Sequence, residues 1–463
     1  MRELSFDRFV VTSDEGDWSW TGHNHFYSIS VARAALAKGH RPVILAPVRA
    51  TPGFDDGVEI IPYVQPQQQL VGGRQVIRQL ALKWIPMSWS RNAARLGRSV
   101  LSKALALRHQ WSGPAVDQVA HEAPAGSFGL QIAEAIRTGV LRESDLVFVH
   151  TVLTQSLESV LLALLSLKGK PLPNFQLTLR TDPHEVATRY GRRMDLASIL
   201  NGFWQHEWLR ERVRFLTDTA ELKREYDELS PFIFCEIPIP VAIRRSPRRD
   251  SSGQAGKKIT ITYVGAIRRE RGFQLLPKLA EHLALRKADR AIHLVVQAGG
   301  LDKVDDPQVQ MVLSTLERYT GTVEIVRGSL SPDRYSELLQ AADLILLPYD
   351  ASRYVARSSG VLAEALSIGC PTVVPDGTWM SRVAGDSCTR IRSPGDADAL
   401  CAAVDEALGS LDAIRTAALE LSKAWSTSAT PERLFSSVVS AENCAHTTDN
   451  KSSAHASMNP GHR

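Results

Sequence analysis

The chain has 463 residues, of which 44% are hydrophobic and 22% charged, with a formal net charge of +4. That length exceeds one ordinary core and suits two domains of roughly 200 residues each, in a composition typical of soluble proteins. So small a net charge selects no class of partner by itself. The five cysteines, Cys235, Cys370, Cys388, Cys401 and Cys444, have no CxxC spacing and are odd in number, which argues against a disulfide framework and for a reducing cytoplasm. Glu3, Asp7, Asp14, Glu15 and Asp17 interrupt the first eighteen positions, where a secretion signal needs an apolar core. The apolar stretch 157–167 is interrupted by Glu158, Ser159 and Ser166 and is too short to span a bilayer.

In chain order, 9–12 reads as a first strand, and a loop containing Gly16, Trp18, Trp20 and Gly22 follows. A helix over about 26–38 is closed by Gly39, and 42–46 is the next strand, which makes a βαβ start. From 60 to 116 there is no Asp or Glu, while Arg74, Arg78, Lys83, Arg91, Arg95, Arg98, Lys103 and Arg108 alternate with Trp84, Ile85, Met87, Trp89 and Trp111. A basic stretch with interleaved aromatics suits an anionic membrane surface or an anionic acceptor. No nucleic-acid-binding module accompanies it, so no nucleic acid is expected as a partner.

The strand 146–149 ends at His150, the strand 175–179 at the polar run 180–184, and the strand 213–216 at Thr217 and Asp218. Residues at the carboxyl ends of parallel strands face the ligand crevice of such a sheet. A basic segment without apolar periodicity, 244–258, reads as the linker between domains. The second half opens with the strand 259–264, the loop 265–272 carrying Gly265, Arg268, Arg269 and Arg271, and a helix over 273–285. Strands at 292–296, 323–326, 344–347 and 372–374 follow, separated by helical stretches, then closing helices over 396–408 and 413–423. The tail beyond 441 lacks an apolar face and is expected to be disordered.

The unit 343–375 carries the strongest signal. Ser358, Ser359 and Gly360 open a helix whose first amides are unpaired and whose small side chains let an anion approach the backbone. That helix, 358–368, has one charge, Glu364, on otherwise apolar or small faces, which predicts a partly buried carboxylate in need of partners. A ligand's hydroxyl pair would serve, and so would protein or water.

The stretch SSGVLAEALSIGCPTVV resembles the donor-nucleotide motif of retaining glycosyltransferases of the GT-B fold, in the large family 4 group. The resemblance implies an α/β protein of two doubly wound Rossmann-like domains facing each other across a cleft. They would be an acceptor domain over 1–243 and a nucleotide-sugar domain over 259–440, joined by 244–258 and followed by the tail 441–463. It implies that Glu364 holds the donor ribose, with Ser358, Ser359 and Gly360 facing the diphosphate and sugar. Gly22 would face the diphosphate across the cleft, and His150 would stand near the acceptor and the transferred sugar. In the loop that begins with Gly265, Arg271 matches the family's phosphate-neutralising Lys, while Ala266 replaces its Arg, so Arg268 or Arg269 would substitute. A second family Glu, eight positions before Glu364, is Ala356 here.

The implied activity is retaining transfer of a sugar from a nucleotide-sugar donor to a glycan, lipid-linked or small-molecule acceptor, in polysaccharide or glycoconjugate biosynthesis. It needs neither metal nor cofactor, and it would take place in the cytoplasm, peripheral to the inner face of the cell membrane through 60–116. The two alanines motivate an alternative, a GT-B-shaped protein that binds a nucleotide or glycan without turnover. A nucleotide-sugar epimerase is a third reading, for which the sequence presents no acid/base set.

Overall fold

The computed structural model describes residues 5–14, 23–47, 50, 52–64, 127–184, 195–241, 243, 258–265, 267–286, 291–299 and 306–440. Gly22, Ala266, nearly all of the basic stretch 60–116, the linker and the tail lie outside them.

Two sheets organise the described chain. The first has eight strands in the order β3-β4-β2-β1-β5-β6-β7-β8, and the second six in the order β11-β10-β9-β12-β13-β14. In the first, β1 (Arg8–Thr12) lies between β2 (Arg41–Pro47) and β5 (Asp145–Val152). Beyond them stand β4 (Val58–Val64) and the short β3 (Gly53–Asp55) on one side, with β6 (Asn174–Leu179), β7 (Val213–Thr217) and β8 (Cys235–Glu236) on the other. All pairs are parallel except β3 with β4. The second sheet, β9 (Ile259–Tyr263), β10 (Ile292–Ala298), β11 (Val323–Arg327), β12 (Leu344–Leu346), β13 (Thr372–Pro375) and β14 (Cys388–Ile391), is parallel throughout.

Parallel strands with both faces covered read as continuous apolar runs, and the alternation of side chains decides which residue meets which layer. Val10, Val147 and Phe175 pack under the helices Phe128–Arg137, Thr154–Leu165 and Leu196–Trp204. Their neighbours Phe9, Val11, Leu146 and Phe148 point the other way, toward the helix His23–Ala37. In the second sheet Ile261, Tyr263, Leu294, Leu344 and Val373 meet the helices Leu276–Leu285, Pro307–Leu316 and Ala397–Gly409. Val264, Ile345, Leu347 and Val374 meet Gly360–Ile368 and Trp379–Ala384.

The exchange of chain between the halves departs from the expected limits. The helix Pro431–Val439 follows the second sheet in sequence, yet its apolar face of Leu434, Phe435, Val438 and Val439 is buried on the first. Phe435 sets its ring edge-on to Phe9, centroids 5.0 Å apart. Conversely, Ile239 at the end of the first half packs into the second, and the Val241 amide donates to the Ala429 carbonyl at 3.0 Å. Among the described cysteines, Cys370, Cys388 and Cys401 are buried and outside disulfides, whereas Cys235 is disulfide-bonded, against the expectation drawn from the cysteine spacing.

At the end of the first sheet remote from the strands' carboxyl ends, buried Arg8 donates from Nε and Nη2 to both oxygens of buried Asp145, at 2.8 and 2.6 Å. The Arg142 amide donates to the same carboxylate at 2.7 Å. A buried pair this fully satisfied loses several kcal/mol if one partner is removed, so its role is structural.

Candidate functional site

The loop after β9 is shaped around Arg271. Gly265 has φ +121°, and a Cβ there would lie 2.3 Å from Arg271 Nη1, so the guanidinium rests against bare backbone. Arg271 is half-buried, with its guanidinium carbon 5.6 Å from the centre of the Tyr349 ring. The Tyr349 phenol is the main influence that raises the already high pKa of Arg271, so the cation persists at any working pH. Its Nε has no hydrogen-bond partner among the described residues.

Gly272 ends the turn Arg269–Arg271 at φ +75°, and a Cβ there would come 2.0 Å from the Pro348 carbonyl oxygen. Both backbone conformation and space exclude a side chain, since a carbonyl in a packed strand end cannot yield. Gly272→Ala should therefore cost roughly 2–4 kcal/mol of stability, read as a lower urea midpoint. An unchanged midpoint would show that the loop is not locked to the end of β12. The expected helix over 273–285 starts late for the same reason: Phe273–Leu275 forms a 3₁₀ turn after the left-handed Gly272, and the α-helix begins at Leu276.

The other loop bases point elsewhere. Arg268 and Arg269 are exposed, and Arg268 Nη1 stands 3.7 Å from Glu270 Oε1. Glu270 is in turn paired with Arg353, so this part of the loop is partly neutralised by its own carboxylate.

The helix Gly360–Ile368 starts two residues later than the expected 358, because Ser359, in extended conformation, caps it by accepting from the Leu362 amide at 3.3 Å. Gly369, at φ +64°, ends it. Its single carboxylate, Glu364, is half-buried and accepts a hydrogen bond from Tyr335 Oη at 2.7 Å. Burial raises the Glu364 pKa to about 7, opposed by the Tyr335 hydrogen bond and by the Arg271 charge. Arg271, Tyr349, Tyr335 and Glu364 thus form one group beside the start of this helix, a cation and a titrating carboxylate joined by phenols. Tyr335 and Tyr349 escaped the sequence reading. They come from a helix and a strand end with no motif spacing to Glu364.

From the other half, His150 stands at the carboxyl end of β5 as expected, but fully buried. Its Nε2 lies 3.0 Å from Ser28 Oγ and its Nδ1 3.2 Å from Thr151 Oγ1, with its ring stacked on Tyr27 at 4.6 Å. These contacts of His150 all lie within the first half. The halves meet through Asp218 and Thr219. Ser358 Oγ donates to Asp218 Oδ2 at 2.8 Å, and Thr219 Oγ1 donates to the Ala356 carbonyl at 2.8 Å. Ala356 is fully buried and packs into the core of the first half. Among the described residues no group of three or more His, Cys, Asp or Glu side chains could hold a metal ion.

Residues 258–410 match the family described as glycosyl transferases group 1. A search of curated proteins finds no match. Among solved structures, the sucrose-phosphate synthase of Thermosynechococcus elongatus is similar at a TM-score of 0.61 and 12% identity, over 93% of this chain and 96% of that one. Trehalose-6-phosphate synthase OtsA gives 0.58 and 14%, over 93% and 97%. Anabaena HepE in complex with UDP-glucose gives 0.55 and 12%, over 93% and 98%. At such identities these likenesses speak for the fold alone. The chain has the GT-B fold, and its residues 258–410 match the model of the glycosyl transferases group 1.

Proposed function

We propose that the protein transfers a sugar from a nucleotide-sugar, with retention of configuration, to a glycan, lipid-linked or small-molecule acceptor. The observation that carries this reading is the placement of Arg271 and Glu364 beside the Ser359-capped helix start. The first amides of a helix and a fixed cation suit a diphosphate, and a half-buried carboxylate suits a pair of ribose hydroxyls. As the sugar departs, the diphosphate accumulates charge and takes the acceptor's proton on the same face. Arg271 stabilises that charge, and the reading requires no metal and no carboxylate base. Exclusion of water by the docked halves completes the protein's part. Gly22 belongs to this reading as a diphosphate contact, and His150 as a group near the acceptor.

The test is a thermal-shift panel of UDP, GDP, ADP and their sugars, followed by a donor-hydrolysis assay of each nucleotide-sugar that stabilises the protein. UDP and UDP-glucose are the first probes, because the similar HepE structures hold them. A second reading, binding without turnover, draws on Ala356: that position offers only a methyl group, packed into the opposite half. Stabilisation by a nucleotide-sugar that is never hydrolysed or transferred would favour it.

The basic stretch 60–116 extends the proposal to a membrane surface, where each Lys or Arg contributes on the order of 1 kcal/mol and salt weakens the attraction. Flotation with anionic but not neutral liposomes, lost at high salt, is the expected result. Equal recovery with both would confine this stretch to an ordinary solvated role.

A further inference from the structure

At the carboxyl ends of β5, β6 and β7 the first half gathers His150, Arg180 and Asp218 beside Tyr27. The Arg180 guanidinium carbon lies 4.7 Å from the centre of the Tyr27 ring, and its Nε lies 3.4 Å from Asp218 Oδ2. Both Tyr27 and Asp218 are buried, at 2% and 4% exposure. Yet Tyr27 Oη and Asp218 Oδ1 have no hydrogen-bond partner among the described residues. An unmatched buried hydroxyl or carboxylate oxygen is costly enough that native proteins nearly always satisfy it. Burial holds the Tyr27 phenol at about 12, so at neutral pH it carries its proton and can donate.

The chemistry of the missing partner follows from these two atoms. Asp218 Oδ1 needs a donor, and Tyr27 Oη can give or receive a hydrogen bond. Arg180 and Asp218 carry opposite charges and lie within ion-pair distance, so neither presents its full charge to a ligand. A neutral group that both donates and accepts fits, namely the hydroxyl of a sugar. The cluster also touches the proposed donor end, since Asp218 Oδ2 accepts from Ser358 just ahead of the helix cap. Both unmatched atoms are buried, so a ligand reaching them requires neighbouring side chains, Ser358 among them, to move.

We infer that Tyr27 and Asp218 form a subsite for a sugar hydroxyl, at the point where the two halves meet. This rests on the transferase reading above, and the sugar is either the one carried by the donor or one belonging to the acceptor.

Calorimetric titration of the full chain with UDP, with UDP-glucose, and with glucose after saturation by UDP separates the possibilities, in the wild type, Tyr27→Phe and Asp218→Asn. Tyr27→Phe keeps the ring and removes only the hydroxyl, and its melting temperature, measured alongside, separates a binding result from a folding one. UDP affinity should be unchanged in both variants. Sugar affinity should fall about ten-fold or more in Asp218→Asn, which loses a charged acceptor, and about three-fold in Tyr27→Phe. A fall confined to UDP-glucose assigns the subsite to the donor's sugar, and a fall confined to glucose assigns it to the acceptor's. Unchanged affinity for both sugars, as a trapped water would give, overturns the inference, and so does an equal loss for UDP alone. Failure of the wild type to bind any of the three overturns the transferase reading with these probes, and the inference with it.

Discussion

Glu364→Gln is expected to stabilise the protein at pH 8 and, at the same pH, to weaken nucleotide binding. The carboxyl loses its proton near pH 4.5 in the unfolded chain but near 7 in the folded one, because burial disfavours its charge. The folded state therefore holds the extra proton between those values, and stability falls as pH rises from 4.5 through about 7. Above that range the wild type bears the full cost of a buried charge, up to about 3 kcal/mol, which the amide avoids while still accepting from Tyr335. Urea midpoints should differ at pH 8 and converge at pH 5. Binding should move the opposite way, with UDP affinity falling about ten-fold or more in the variant as a charged hydrogen bond to ribose is lost. Wild-type affinity should itself decline below pH 7 as the carboxylate is protonated. Equal UDP affinity in the two proteins would remove Glu364 from the donor site. Equal midpoints at pH 8 would show that its charge is not buried at a cost.

Arg271→Ala is expected to lower turnover about 100- to 1,000-fold while changing UDP affinity much less. A cation fixed against the backbone of Gly265 meets more negative charge in the departing diphosphate than in the resting donor, so its loss falls on the barrier. Loss of one such charge-stabilising group elsewhere costs roughly 2.7–4 kcal/mol. Arg271→Lys keeps the charge without the planar fork and should recover part of the rate. Arg268→Ala should do little, since that side chain is exposed and shares Glu270 with Arg353. Donor hydrolysis under single-turnover conditions at saturating UDP-glucose measures these effects. A full rate in Arg271→Ala would shift the role to Arg269 or end the leaving-group mechanism.

Much of this arrangement was legible in the sequence where it depended on local pattern. Apolar runs bounded by glycine and polar residues marked the parallel strands, and one carboxylate on an uncharged helix announced its own burial. What local pattern does not encode is which surface a given face will meet. Glu364 is bonded by Tyr335, 29 positions away, and Ser358 by Asp218, 140 positions away. Neither pairing has a spacing to betray it. The helix Pro431–Val439 went unread behind the closing helices 396–408 and 413–423, and periodicity would say only that its apolar face is covered, not by which sheet. Ala356 looked like a lost ligand group, whereas its methyl is packed in the opposite core and its carbonyl is taken by Thr219.

The return of Pro431–Val439 to the first sheet bears on how the chain is made. Ribosomes release a polypeptide from its amino end, and domains ordinarily fold as they emerge. Here one layer over Phe9 and Phe148 is supplied by Leu434, Phe435 and Val438, which are synthesised only after both sheets. The nascent first half thus leaves an apolar surface open until the chain beyond the second sheet has been made, and a nonsense codon after that sheet would leave it open permanently. Such a fragment, though it lacks none of the strands of the described residues, should be prone to capture by chaperones and to aggregation.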